Sequence, residues 1–189
     1  MASEVSHLVY GGAAERVERV HGLALVLVGS GVFDLDEAPA AGTVERAAVS
    51  LEPGAIKLVG RQEKQEEVVD LGAAKRVVCV GRGIQSEANV HLAQEFAARI
   101  GGEMACSRPI AEGEGWMAHS RYLGVSGATV KPELYLALGV SGQVQHTVGM
   151  TESQFVVSIN KDKNAPLMKQ CDLGLVADVE KVLPALAAL

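Results

Sequence analysis

The second half of the chain alternates short apolar runs with glycine turns and helix-forming segments. Residues 77–80 are continuously apolar and lead into Gly81-Arg82-Gly83, and a helical stripe follows. Leu134–Leu138 likewise leads into Gly139-Val140-Ser141-Gly142, before a segment that can begin a helix. Continuous apolar strands separated by helices are typical of a parallel sheet covered by helices. This alternation predicts an α/β fold over residues 76–189, with a mostly parallel sheet flanked by helices.

The other elements of this half follow from the same patterns. Ser86 is placed to cap a helix over residues 87–100, which Gly101-Gly102 ends. Further strands are predicted at residues 104–106, 155–159 and 173–176, and a last helix, interrupted by Pro184, at residues 179–188.

Residues 1–75 have a different pattern, which predicts a β-rich partial domain and a connector. β-type runs occupy residues 23–28, 44–51 and 56–59, separated by turn-rich pieces. Residues 13–20 resemble a helix, and residues 60–67 are mostly polar. We therefore place a domain boundary between residues 75 and 76.

Composition excludes several classes of protein. A hydrophobic content of 48% in 189 residues is enough for a core, whereas a net charge of −6 and 4% aromatic residues argue against nucleic-acid binding. Three widely spaced cysteines give no metal-ligand spacing, and their odd number favours a reducing compartment. The start has no signal-peptide pattern, and the longest apolar run, residues 23–28, is too short to span a bilayer. We expect a cytoplasmic protein with no metal and no stable membrane insertion.

Two near-identical glycine turns indicate a nucleotide-cofactor site. Gly124-Val125-Ser126-Gly127 and Gly139-Val140-Ser141-Gly142 lie fifteen positions apart. Glycine leaves backbone N–H groups accessible and serine adds hydroxyls, which suits a phosphate or a flat polar ring. A serine-hydrolase elbow is excluded because Ala128 and Gln143 stand where its last glycine is required. The dinucleotide fingerprint also fails, since Ser86 replaces its last glycine.

The sequence pattern alone allows two roles for each of three charged or titratable residues. Arg82 is either a pyrophosphate ligand or a surface arginine in a plain turn. Arg108 either stabilises an anion on a cofactor or forms a salt bridge with Glu112 or Glu114, and by itself the salt bridge is favoured. His146 stands alone, and a lone histidine is more often a capping or packing residue than a catalyst.

Several blocks, in order from about residue 76 to residue 189, resemble electron transfer flavoprotein alpha subunits. They are Gly81-Arg82-Gly83 with Asn89, Cys106-Ser107-Arg108-Pro109, residues 131–146, residues 158–162, Ala165-Pro166 and residues 175–178. The block from Pro132-Glu133-Leu134-Tyr135 to Gln145-His146 is highly specific. Ser107-Arg108-Pro109 and Trp116-Met117 resemble the bacterial branch associated with carnitine and anaerobic acyl-CoA metabolism.

The resemblance implies a two-domain alpha chain. The C-terminal domain would be a Rossmann-like α/β unit that holds most of an FAD, and the N-terminal domain would pack against a beta subunit. Residues 8–12 and 29–33 look like the last part of that N-terminal domain. The chain is therefore similar to an alpha subunit that lacks the larger beginning of its first domain.

The resemblance also implies roles for individual residues. Arg82 and Ser107 would lie at the FAD phosphates, and Arg108 beside the flavin ring, where it favours the one-electron reduced anion. The loop over the flavin would consist of Leu123, Gly124, Val125 and Ser126. The turn that cradles FAD would consist of Ser141, Gly142, Gln143, Val144, Gln145 and His146, with His146 bonding the flavin's pyrimidine oxygen. Asn160, Asp178 and Val179 would lie on the adenosine side.

The function predicted is that of an FAD-binding electron carrier. It would pair with a beta subunit, exchange electrons with an acyl-CoA dehydrogenase-type flavoenzyme, and turn over no substrate of its own. Two alternatives remain: an NAD-binding enzyme of a related Rossmann-like fold, or a non-redox nucleotide-binding assembly domain. An absorption spectrum separates these alternatives.

Overall fold

The architecture comes from a computed structural model, which describes residues 2–10, 14–28, 33, 42–43, 45–48, 50, 54, 58–61 and 69–188. Within these residues the strands are β1 (Ala2–Val9), β2 (Ala14–His21), β3 (Arg76–Val80), β4 (Glu103–Cys106), β5 (Leu134–Leu138), β6 (Val156–Asn160) and β7 (Leu173–Val176). The α-helices are α1 (Glu87–Arg99), α2 (Val144–Thr147) and α3 (Val179–Ala187). None of the helices in this part of the chain is long and apolar enough to cross a membrane.

Strands β3 to β7 form one sheet in the order β4-β3-β5-β6-β7, and all their pairings are parallel. Helices flank the sheet, so the predicted α/β fold is confirmed. Successive side chains of a strand point to opposite faces. Val78 and Val80 accordingly lie in one core cluster, whereas Val77 and Cys79 lie in the other. Burial on both faces explains why these strands read as continuous apolar runs.

Helices α1 and α3 pack on the face of the sheet that carries Val78 and Val80. The Ser86 hydroxyl accepts a hydrogen bond from the Asn89 N–H at 3.3 Å, which confirms the predicted cap of α1. The predicted interruption at Pro184 is wrong, because α3 continues through it to Ala187. The neighbouring Leu183 is fully buried against the sheet, and this packing maintains the helix despite the missing proline N–H.

Loops and short turns cover the opposite face of the sheet. Its core combines Val77 and Cys79 of β3 and Tyr135 and Ala137 of β5 with side chains from the covering segments. Those covering side chains include Leu71, Leu123, Val130, Val140, Met150 and Leu167. The loops that contain the glycine turns are therefore part of the core and are held in place by it.

Strands β1 and β2 form a separate antiparallel hairpin. The helix predicted over residues 13–20 is wrong, since Ala14–His21 is a strand. The reason is non-local: β1 supplies a hydrogen-bonding partner, and Arg19 lies opposite Glu4 with a 2.6 Å salt bridge. Val17 and Val20 are β-branched, and such residues fit a strand well.

The strand predicted at residues 23–28 is also wrong, because these residues have no regular secondary structure. Leu23, Leu25 and Leu27 are almost fully exposed. A strand needs a hydrogen-bonding neighbour, and the part of the chain that is described pairs β1 and β2 only with each other. The runs at 44–51 and 56–59 fall partly outside the described residues, and their described positions carry no strand. The domain boundary at 75/76 stays a prediction.

Candidate functional site

The order of the strands determines where a ligand would bind. The chain passes from β3 through α1 to β4 on one side of the sheet, whereas β5, β6 and β7 extend to the other side. The direction of winding therefore reverses between β3 and β5. In open parallel sheets ligands bind outside the carboxyl ends of the strands at this reversal. The loops that leave β3 and β5 there are Gly81-Arg82-Gly83 and the glycine turn Gly139-Val140-Ser141-Gly142.

These two loops touch through their backbones. The Gly83 N–H donates to the Gly139 carbonyl at 3.0 Å, and the Gly81 N–H donates to the Leu138 carbonyl at 2.9 Å. A Cβ on Gly139 would lie 2.5 Å from Cα of Gly83, and a Cβ on Gly83 would lie 2.7 Å from Cα of Gly139. Gly139 also has a φ of +67°, which favours glycine. The glycines thus serve to bring the two loops together.

The other glycine turn, Gly124-Val125-Ser126-Gly127, lies against α2. The Val125 N–H donates to the Gln145 carbonyl at 2.9 Å, and Gly124, with a φ of +140°, leaves no room for a Cβ above that carbonyl. Leu123 is buried, whereas Val125 and Ser126 are exposed. The segment Leu123 to Ser126 therefore covers α2, with Ser126 and Val125 on the outer surface.

His146 lies beneath that segment. The residue is 8% exposed; its Nε2 is 2.8 Å from the Tyr135 hydroxyl and 3.8 Å from the Cys79 Sγ. Nδ1 is buried and has no hydrogen-bond partner. Burial lowers the pKa of His146 to about 4, and the nearby Leu123 backbone acts in the opposite direction without reaching hydrogen-bonding geometry. The imidazole is therefore neutral at pH 7.

Arg108 and Arg82 lie in the loops that follow β4 and β3. The Arg108 guanidinium donates to Glu112 at 2.6 Å, and Glu112 also lies 3.2 Å from His119. The hydrogen bond with Arg108 is the main cause that lowers the pKa of Glu112. The salt bridge weighed from the sequence is thus present, on the surface. Arg82 is exposed directly after β3.

The serines and the rest of the α2 turn lie at the same end of the sheet. Ser107 is half-buried after β4, and Ser141 is exposed after β5. The Ser141 carbonyl accepts from the Leu167 N–H at 3.1 Å, and Gly142 packs on Leu167 with a φ of +80°. Gln143, Val144 and Gln145 are exposed. Their side chains are accessible to a ligand or a partner protein.

Asn160, Asp178 and Val179 have structural roles of their own. Asn160 donates to the Val140 carbonyl at 2.9 Å and accepts from the Asp162 N–H at 3.0 Å. Asp178 caps α3 and accepts from the Gln85 amide at 2.8 Å. Val179 is 2% exposed within the core, so only its backbone is available to a ligand. The three residues are nevertheless next to the carboxyl ends of β6 and β7.

Sequence reasoning missed two residues that contact the candidate site. Tyr135 was assigned only to a strand, yet its buried hydroxyl contacts His146. One signal was available: a tyrosine in a strand buried on both faces needs a partner for its hydroxyl. Gln85, with a φ of +72°, links the β3–α1 loop to Asp178, and no sequence pattern indicated this. Among the described residues no group of acidic, histidine or cysteine side chains could hold a metal ion.

Comparisons with known proteins found a matching family model and similar curated proteins. Residues 70–151 match the model of the electron transfer flavoprotein FAD-binding domain. Protein FixB of Escherichia coli O81 (strain ED1a) and of E. coli K12 (strain DH10B) are each 48% identical over 187 residues, which cover 97% of this chain. The chain spans 60% of the length of each of these relatives.

A likeness to one solved structure is weak. A putative thiamin diphosphate-dependent enzyme from Mycobacterium smegmatis aligns with a TM-score of 0.37 and 16% identity, over 63% of this chain and 25% of its own.

Proposed function

Because the chain belongs to the electron transfer flavoprotein alpha family, we propose that it binds FAD at the carboxyl end of its parallel sheet and acts as an electron carrier. Electron carriers of this family do not turn over a substrate of their own. The FAD, when bound, supplies reversible uptake and release of electrons. The part of the protein is to bind the cofactor, orient it and set the charge around it.

The observation that carries the proposal is the unpartnered Nδ1 of His146. A buried polar atom without a hydrogen bond costs about 1–3 kcal/mol, and such atoms are uncommon in folded proteins. The same ring lies near the backbone of Leu123 and contacts Cys79 of β3 and Tyr135 of β5, the two strands between which the winding reverses. A histidine nitrogen that lacks a partner in the protein alone is well suited to bind a polar atom of a cofactor.

The residues at this edge fit the parts of FAD. Arg82, Ser107 and Ser141 supply a positive charge and hydroxyls for the phosphates. Arg108 and His146, with the segment Leu123 to Ser126, would surround the flavin ring. The adenosine would meet the edge formed by Asn160, Asp178 and the backbone of Val179.

Arg108 would contribute a permanent positive charge near the ring. Its partner Glu112 offsets that charge in the protein alone, and both side chains are surface exposed. The net effect on the flavin therefore depends on whether Arg108 leaves Glu112 when FAD binds. A free guanidinium favours extra negative charge on a nearby group.

The proposed partners are a beta subunit and an acyl-CoA dehydrogenase-type flavoenzyme. Val125 and Val144 support a protein contact close to the site, because they are 60% and 57% exposed although apolar. A partner placed over these side chains would also shield the ring from water. The cytoplasm is the proposed location, in agreement with three cysteines that are all unpaired.

The test is reconstitution of the chain with FAD, followed by removal of excess cofactor. We expect a flavin absorption band in the protein fraction, and FAD rather than FMN by mass spectrometry after heat release. His146→Asn should reduce the retained flavin, whereas His91→Asn, on the exposed surface of α1, should not. Affinity for NAD without a flavin band would support the alternative enzyme, and retention of FMN alone would reject the dinucleotide site.

A further inference from the structure

The hydroxyl of Tyr135 lies in the interior of the protein beside two polar side chains that could bond it. Tyr135 is fully buried on β5, and its hydroxyl contacts Nε2 of His146 at 2.8 Å. The thiol of Cys79, on the adjacent strand β3, is the second neighbour. Each of these three groups has few hydrogen-bond donors and acceptors. The positions of their protons therefore follow from which group donates and which accepts.

The thiol is the weaker acceptor for the tyrosine proton. Burial raises the pKa of Cys79, so the sulfur keeps its own proton and is a poor acceptor. The neutral imidazole of His146 has one ring nitrogen with a free lone pair, which is a strong acceptor. At 2.8 Å the Tyr135 O–H therefore donates to Nε2, and Nε2 carries no proton.

The single proton of the neutral ring must then be on Nδ1. The backbone of Leu123 acts on His146 in the sense of an acceptor, which agrees with a proton on that side of the ring. That contact does not reach hydrogen-bonding geometry, so Nδ1–H remains an unsatisfied donor. Its natural partner is a carbonyl or anionic oxygen.

We propose that Tyr135 is a positioning residue whose hydroxyl holds His146 in the Nδ1–H tautomer, so that Nδ1–H donates to an oxygen of the bound cofactor. The assignment of the oxygen to a cofactor rests on the proposed function; the tautomer itself does not. Because Nδ1 has almost no accessible surface, the residues around it must shift as the cofactor enters.

The experiment has two readouts on the full chain. Nitrogen-15 NMR of the histidine rings, with His146 assigned by loss of its signals in His146→Gln, reports which nitrogen carries the proton without any cofactor. We expect Nδ1–H in the wild type and a mixture of tautomers in Tyr135→Phe. Tyr122→Phe, at another buried tyrosine, and Cys79→Ala should both keep Nδ1–H. A proton on Nε2 in the wild type, or an unchanged tautomer in Tyr135→Phe, overturns the assignment to Tyr135.

The second readout follows addition of FAD to the same samples. The Nδ1–H proton resonance of the wild type should move when FAD binds, and Tyr135→Phe should bind FAD about five- to tenfold more weakly, as expected for one misdirected hydrogen bond. If FAD binds and the Nδ1–H resonance stays in place, the donor role is rejected. If FAD does not bind although the wild type shows Nδ1–H, the proposed function fails while Tyr135 keeps its assignment.

Discussion

Replacing Gly139 by alanine tests whether the two glycine loops are held together by backbone contact. Two costs coincide at this position. The φ of +67° is left-handed, which costs an ordinary residue about 1–2 kcal/mol, and a Cβ would lie 2.5 Å from Cα of Gly83. Forcing atoms into a packed region adds about 1–3 kcal/mol. The sum predicts a loss of roughly 2–5 kcal/mol of unfolding free energy for Gly139→Ala.

Three other glycines separate the two costs. Gly115 has a φ of +70° with nothing within 4 Å of its Cβ position, so Gly115→Ala reports the backbone cost alone. Gly81 has a φ of −113°, but its Cβ would lie 2.7 Å from Cα of Val140, so Gly81→Ala reports the steric cost alone. Gly113 has neither problem, and Gly113→Ala is the matched control.

The assay is urea unfolding of the four variants and the wild type, supported by thermal melting. We expect no loss for Gly113→Ala and a loss for Gly139→Ala close to the sum of those for Gly115→Ala and Gly81→Ala. In a chain of this size each kcal/mol corresponds to about 2–4 °C, so Gly139→Ala should lower the midpoint by on the order of 10 °C. A Gly139→Ala protein no less stable than Gly115→Ala would refute the close contact between the loops.

Three further predictions concern charge and cofactor. The pKa of His146 is about 4 in the folded protein and near 6.5 in the unfolded protein, so the unfolded state binds the proton first as the pH falls. The free energy of unfolding should therefore decline by about 3 kcal/mol between pH 6.5 and pH 4. Urea unfolding across this pH range measures the decline, and His146→Gln should flatten it. In the FAD-loaded protein, Arg108→Ala should lower the reduction potential for the first electron in a redox titration, because a positive charge near the flavin is lost. The control variant Lys163→Ala, at an exposed cation after β6, should leave that potential unchanged. An unchanged potential in both variants would contradict a position of Arg108 beside the flavin ring. Calorimetric titration should give weaker FAD binding for this chain alone than for a complex with a beta subunit. The reason is that a partner would bury Val125 and Val144, and such burial contributes about 25 cal/mol per Å² of apolar surface. Equal affinities would show that the site is complete without that partner.

The sequence by itself determined the local elements of the second half of the chain. Strands buried on both faces need unbroken apolar runs, and residues 77–80 and Leu134–Leu138 supply them. The N-cap residue Ser86 predicts where helix α1 begins, because its hydrogen bond with Asn89 lies within one turn of the chain. The glycine turns at Gly81 and Gly139 were likewise predicted from the sequence, because glycine after an apolar run marks a turn, whereas the close contact between the two loops was seen only in the structure. The strands, the helix cap and the turns depend on residues that are neighbours in the sequence, so local sequence patterns predict them.

Only the tertiary structure decided how residues far apart in the sequence meet. Ala14–His21 is a strand because β1 pairs with it, and residues 23–28 are not, because no described strand does. The contact of Tyr135 with His146 joins a strand to a turn, and the same fold encloses Nδ1 without a partner. Hydrogen bonds and burial act over ångströms in space, not over positions along the chain, so the protonation of His146 could be inferred only once its neighbours were known.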